Sequence, residues 1–427
     1  MSETDFQRTV EAVWRIESAR IIAITARIVR DVGLAEELAQ DAFIAALERW
    51  PESGIPDNPG AWLMAVAKRR AIDVLRREKL FHRNQADLGY VAELDQATAM
   101  HDVAAALDND IDDDLLRLIF TACHPVLSAE ARVALTLRLL GGLTTDEIAR
   151  AFLVAEPTVA QRIVRAKRTL AEARVPFEVP RGTERVERLA SVLEVIYLIF
   201  NEGYSATAGD DWMRPALCEE ALRLGRVLAE LDPREPEVQG LVALLEIQAS
   251  RLRARTGRDG EPVLLLDQDR ARWDQLLIRR GLAALARAQA LCSADGSALG
   301  AYGLQAAIAA CHARARTAAA TDWARIAALY DALAQTAPSP IVELNRAVAL
   351  AMAFGPAAGL ELVDTLMTEP SLKGYHLLPS VRGDLLARLG RHAEACVEFK
   401  RAAGLTRNAR ERELLLERAR SCANGVA

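Results

Sequence analysis

The segment Gly141-Gly142-Leu143-Thr144-Thr145-Asp146-Glu147 constrains the fold most, because it carries a complete helix-start signal directly after a turn. Thr144 can accept from the backbone three residues on while Glu147 reaches back, the reciprocal arrangement of a capping box. The helix so begun gives out around Phe152-Leu153-Val154-Ala155-Glu156, and Pro157, whose fixed φ suits a first helical turn, opens another. In that second helix Val159, Ile163, Ala166 and Leu170 share one face for packing. Thr158, Gln161, Arg162, Arg165 and Arg168 project from the other as donors suited to base edges and phosphates. Two short helices and a tight turn make a helix-turn-helix whose second member has the layout of a recognition helix. The competing reading is an ordinary amphipathic helix with a few arginines.

A basic helix far upstream favours nucleic acid. From Pro59 to Lys79 the sequence sets Lys68, Arg69, Arg70, Arg76 and Arg77 on neighbouring turns and leaves Leu63, Val66, Ile72 and Leu75 for the core. Trp62 stands at the entrance of this helix, beside the Pro/Gly/Asn-rich loop from Trp50 to Gly60. A ring beside a basic groove is a surface on which unpaired bases stack, and it is equally a common core anchor.

Between Asp31 and Asp57 the balance reverses: Asp31, Glu36, Glu37, Asp41, Glu48, Glu52 and Asp57 face the single Arg49. Leu34, Leu38, Phe43, Leu47 and Trp50 keep helical spacing for a core, while Glu37, Gln40, Asp41 and Glu48 stay outward. Such a helix repels DNA and suits a basic protein partner, although charge runs are often only solvated faces. A second acidic run, with Glu93, Asp95, Asp102, Asp108, Asp110, Asp112, Asp113 and Asp114 and no Lys or Arg from Tyr90 to Leu116, reads as a linker extended by its own repulsion.

Charge also bears on function. Residues 1–180 hold 22 Lys/Arg and 28 Asp/Glu, a balance of −6, while the rest of the chain holds 31 of each. The basic helices therefore sit in an acidic frame, and duplex affinity, which comes largely from neutralising phosphates, is expected to be weak without a partner. Half the residues are hydrophobic, and Gly/Pro punctuation separates runs of helical period without strand alternation, so an all-α fold is expected. No apolar run spans a bilayer and the acidic start Met1-Ser2-Glu3-Thr4-Asp5 is unlike a signal peptide, which implies a cytoplasmic location and no membrane partner. The six cysteines lie far apart without a Cys-x-x-Cys pair, so buried thiols are expected, with no metal and no cofactor.

After the proline-bracketed stretch Val175-Pro176-Phe177-Glu178-Val179-Pro180 a second body begins. Gly355 and Gly390 each end one helix and open the next, and they lie 35 apart, close to the tetratricopeptide period of about 34. Ala395, Phe399 and Ala402 sit where paired helices pack closely. Two stretches break the pattern: Asn201, Glu202 and Tyr204 within an apolar run, and Asp267, Arg272 and Trp273 in a charged one. They line a ligand groove in one reading and supply caps and ion pairs in the other. No nucleophile, phosphate loop or metal set accompanies the paired carboxylates, which argues against an enzyme.

These motifs together resemble a bacterial sigma factor of the extracytoplasmic-function class. Residues 10 to about 80 are similar to domain two and residues 113 to about 174 to domain four, while the chain beyond 180 resembles the subgroup with a tetratricopeptide-like C-terminal domain. The resemblance implies a domain-two helical bundle over 1–90, an acidic linker over 91–112, a domain-four helix-turn-helix over 113–175 and a regulatory helical extension over 181–427. It implies core RNA polymerase and promoter DNA as partners, with a regulatory protein on the extension. By the same resemblance, Glu37, Gln40 and Asp41 dock on polymerase, Trp62 with Lys68, Arg69, Arg70, Arg76 and Arg77 holds the melted minus-ten element, and Thr158 to Arg168 reads the minus-thirty-five element. The alternatives are a polymerase-independent helix-turn-helix regulator and an enzyme housed in residues 181–427.

Overall fold

The computed structural model describes residues 3–85, 111–257 and 261–423, and these are almost entirely helical. They form two compact units, Met1–Ile196 and Tyr197–Ala427. The acidic linker expected over 91–112 lies, up to residue 110, outside the described residues.

In the first unit, α1 (Glu3–Val29), α2 (Val32–Ser53) and α3 (Pro59–Gln85) pack mutually. Asp31 caps α2 by accepting from the Leu34 amide at 2.9 Å, and the proline at the head of α3 suits a first turn that has no use for its N–H. Ile21, Ile22 and Ile24 of α1 are sealed from solvent, so α1 is the spine of the bundle. It also receives α4 (Ile111–Ala122), where Asp114, expected in the linker run, is buried and pairs with Arg27 at 3.2 Å. Burial raises the Asp114 carboxyl above its ordinary pKa, against the pull of Arg27 and Arg117. Three further helices complete the helix-turn-helix portion: α5 (Ala129–Leu139), α6 (Thr145–Phe152) and α7 (Glu156–Glu172).

The loop from 173 to 181 is irregular, as its prolines require, and α8 (Gly182–Tyr204) follows. The division between units falls inside α8 rather than at the proline bracket. Its first half packs on the helix-turn-helix portion: buried Arg188 donates to the Phe120 carbonyl at 3.0 Å, and Ser191 donates to the Cys123 carbonyl at 2.5 Å.

The second unit is built around α10 (Pro236–Ala249), whose residues Val238 to Ile247 are all buried. It packs against α9 (Pro215–Leu231), α11 (Gln275–Asp295) and α12 (Ala301–Arg314). The contact with α12 needs glycine: a Cβ on Gly240 would stand 2.6 Å from the Gly303 amide nitrogen. Beyond it, consecutive helices pack pairwise through α13 (Trp323–Thr336), α14 (Pro340–Phe354), α15 (Pro356–Leu366), α16 (Leu377–Arg388), α17 (His392–Leu405) and α18 (Ala409–Ala423). Gly355 and Gly390 adopt φ of 102° and 76° between successive helices, a conformation costly for other residues. Ala395, Phe399 and Ala402 are fully buried there.

The extended structure among the described residues is small, and besides an isolated bridge of Thr256 with Pro262 it is one pair of strands. A parallel bridge joins β1 (Ala208–Gly209) to β2 (Arg407–Asn408), too short to leave any alternation in the sequence. Buried Asn408 fastens it, donating to the Ala206 and Asp211 carbonyls and accepting from the amides of Arg410 and Glu411.

Candidate nucleic-acid interface

The turn preceding α6 is closed by local hydrogen bonds, and Arg15 of α1 adds an ion pair to Glu147 at 2.6 Å. Thr144 accepts from the Glu147 amide at 3.1 Å and Glu147 accepts from the Thr144 amide at 2.8 Å. Leu153 ends α6 in the left-handed region at φ 49°, and Pro157 lies in the first turn of α7. Val159, Ile163, Ala166 and Leu170 are buried, which fixes the rotation of α7. Thr158, Gln161 and Arg165 are consequently exposed and Arg162 half-buried. Neither Arg162 nor Arg165 has an ion pair among the described residues, whereas Arg168 is engaged by Glu172 at 2.6 Å.

On α3, Arg69, Arg76 and Arg77 are exposed, and Lys68 and Arg70 are half-buried. Arg70 pairs with Asp41 of α2 at 2.9 Å, so the expected phosphate-facing and polymerase-facing surfaces meet at one ion pair. Trp62 is half-buried and lies edge-on to the buried Trp50, ring centroids 5.4 Å apart at 64°. One edge is thus held while the remainder meets solvent.

On α2, Glu37 and Asp41 are exposed, and Gln40 donates to Glu36 Oε1 at 2.6 Å. Leu38 and Trp50 are buried as the spacing requires, but Leu34 and Phe43 are only half-buried and Leu47 is exposed at 39 %, because α1 and α3 cover a narrower stripe than the apolar pattern suggests. The sequence reading missed Glu36. This acid is 3 % exposed and pairs with Arg138 of α5 at 2.6 Å and with Lys167 of α7. Its partners lie more than a hundred residues away in the chain, so no local pattern marks it.

In the second unit, the six residues expected around a groove come together only in part: Tyr204 and Trp273 both flank Arg251. Glu202 is buried in an ion pair with Arg214, Asp267 is exposed, and exposed Arg272 donates to the Thr256 carbonyl at 3.4 Å. Asn201 and Tyr204 line a cavity of about 240 Å³, and Trp273 is buried at 3 % exposure. All six cysteines are buried free thiols. Burial pushes Cys123 and Cys218 up to about 11 and about 12, leaving them protonated and unreactive near neutrality. Among the described residues no helix is long and apolar enough to cross a membrane.

Three family signatures match this chain: sigma-70 region 2 over residues 15–81, sigma-70 region 4 over 117–170, and a family of unknown function, DUF6596, over 188–289. A protein of Rhizobium meliloti (strain 1021), designated "Uncharacterized protein R00370", is 45% identical over 386 residues, covering 90% of this chain and 89% of its own. "ECF RNA polymerase sigma factor SigK" of Mycobacterium bovis is 31% identical over 157 residues, which are 36% of this chain and 78% of that one. "Probable ECF RNA polymerase sigma factor SigI" of Mycobacterium tuberculosis is 29% identical over 177 residues, 42% of this chain and 59% of the relative. With both sigma-70 regions in order on the helices just described, and most of a known sigma factor's length covered, the chain belongs to the extracytoplasmic-function branch of the sigma-70 family.

Proposed function

We propose that this sigma factor divides promoter recognition between α7 and α3, docks on core polymerase through the outer face of α2, and places control in its C-terminal helices. The observation that carries the reading is the pair Arg162 and Arg165, held without ion-pair partners among the described residues on a helix whose opposite face is buried. Free guanidinium groups on a fixed helix are what bidentate base contacts require.

The closed first unit is a resting form in this reading. Elements named for positions ten and thirty-five base pairs upstream are separated by roughly 85 Å at ~3.4 Å per base pair. A compact body of 196 residues is only about 40 Å across. The α2 and α7 surfaces must therefore part on a promoter, breaking the Glu36 contacts with Arg138 and Lys167. Transcription in vitro from a cognate promoter by core polymerase, with and without this protein, tests the function directly. Tight duplex binding by the chain alone, without polymerase, would favour the independent-regulator reading instead.

Trp62→Ala is expected to leave polymerase association intact and to impair promoter opening, since it removes a stacking surface worth roughly 1–3 kcal/mol per base. Permanganate reactivity of promoter thymines reads this out. Normal reactivity in a folded variant would return Trp62 to a purely structural role against Trp50.

Control by the extension rests on its architecture of stacked helix pairs, a form that offers extended surfaces to other proteins. We assign it a positive, tetratricopeptide-like role that activity requires. The informative truncation follows Ile196 rather than Pro180, because the Arg188 and Ser191 contacts to the helix-turn-helix portion are then kept. Lost transcription with an intact circular-dichroism spectrum supports the positive role. A gain would mean masking, and unchanged activity would remove the extension from control.

A further inference from the structure

The second unit contains a cavity with unmet hydrogen-bonding demand. It measures about 240 Å³ and lies among α8, α10, α12 and α13, with Phe200, Leu244, Ile308 and Tyr330 supplying apolar wall. Four polar atoms of its lining are buried and unpartnered: Arg251 Nε, Gln248 Oε1, Tyr204 Oη and His312 Nδ1. Native interiors leave few such groups, so four around one space call for an occupant.

Arg251 defines that occupant. Its residue is 6 % exposed, and no carboxylate among the described residues pairs with it. The guanidinium instead lies 5.8 Å from the Tyr204 ring and 5.7 Å from the Trp273 ring. Its neighbours have carbonyl partners: Arg255 donates to the Tyr204 carbonyl at 2.9 Å, and Arg270 donates to the Ala315 carbonyl at 2.7 Å and to Thr321. Of the three, Arg251 alone lines the cavity, and its Nε has no hydrogen-bond partner among the described residues. Burial lowers its pKa and, with Arg251 and Arg270 nearby, lowers that of His312 to about 4, so His312 is neutral and competes for no anion.

We propose that this cavity binds a small organic acid, its carboxylate on Arg251 and its apolar body against the tyrosine and aliphatic wall. A guanidinium takes a carboxylate through two parallel N–H donors, and Tyr204 adds a hydroxyl. At ~30 Å³ per water the space equals about eight waters, which suits a compact ring or short-chain acid rather than a drug-sized molecule. The site stands on the cavity alone and is independent of the direction in which the extension acts on transcription.

The test uses the full chain, with benzoate as probe and benzamide and inorganic phosphate as its counterparts, read by thermal unfolding and calorimetric titration. Benzoate should raise the melting temperature saturably, as a ligand of the folded state alone must, while benzamide and phosphate do not. Arg251→Met should weaken benzoate binding at least tenfold. Gln248→Glu, one helical turn from Arg251, supplies an internal carboxylate, so that variant should melt above the wild type and ignore benzoate. Absence of a benzoate response in the wild type overturns the proposal, as does an undiminished response in Gln248→Glu. Stabilisation by phosphate in place of benzoate overturns the organic-acid class and assigns an inorganic oxyanion.

Discussion

Replacing Arg162 and Arg165 together by Ala is expected to weaken engagement of the cognate promoter at least about thirtyfold while leaving the protein folded. Each bidentate contact to a base is worth about 1–3 kcal/mol, and a factor of ten corresponds to about 1.4 kcal/mol. Stability should change little, because both side chains lie off the buried face made by Val159, Ile163, Ala166 and Leu170 and neither closes an ion pair among the described residues. Arg168 serves as the internal comparison: its guanidinium is already held by Glu172, so Arg168→Ala should cost less. Transcription from the cognate promoter and from a mismatched one, each with core polymerase, separates lost reading from lost charge. A uniform loss on both templates would mean phosphate contact only. Undiminished strength and selectivity in the double variant would exclude α7 from promoter reading.

The parts of this protein that could be read from its residues are those governed by near neighbours. The capping box at Thr144 and Glu147 closes within four residues, and the core face of α7 follows from a 3.6-residue period, so both emerge in the structure as the sequence implies. Gly355 and Gly390 announce helix ends because their φ values are open to few other residues. What could not be read depends on distant partners. Glu36 looks like one more acid on a solvated face until Arg138 and Lys167 arrive from the other end of the unit. Leu47 looks like core because apolar spacing records a stripe but not the width of the neighbour that covers it. Arg251, shortly after the apolar run Leu241 to Leu245, gives a faint signal of an arginine in a buried context. Only the fold brings Tyr204, Trp273 and His312 around it.

Glu36→Ala is expected to lower the unfolding temperature of the first unit and, in the same protein, to raise transcription when polymerase is limiting. Removing one member of a buried ion cluster costs about 3–5 kcal/mol, because the remaining charges stay buried without compensation. The lower end applies here, since the Arg138 and Lys167 side chains are 23% and 21% exposed and recover some hydration. At about 2–4 °C per kcal/mol for a body of this size, the shift should be roughly 6–12 °C. The lost contacts join α2 to α5 and α7 and leave the α1–α3 bundle core untouched, so the closed arrangement suffers more than the parts it joins. Any ligand that needs the open form then meets a smaller opening cost, and polymerase with promoter DNA is such a ligand in the proposed function. Glu36→Gln keeps shape and some hydrogen bonding while removing the charge, and should fall between. A larger radius of gyration by small-angle scattering and earlier saturation of transcription with added core polymerase are the paired readouts. Unchanged unfolding would mean that the Glu36 cluster contributes nothing to closure. A folded Glu36→Ala protein that loses polymerase binding would place Glu36 in the docking surface itself, beside Glu37 and Asp41.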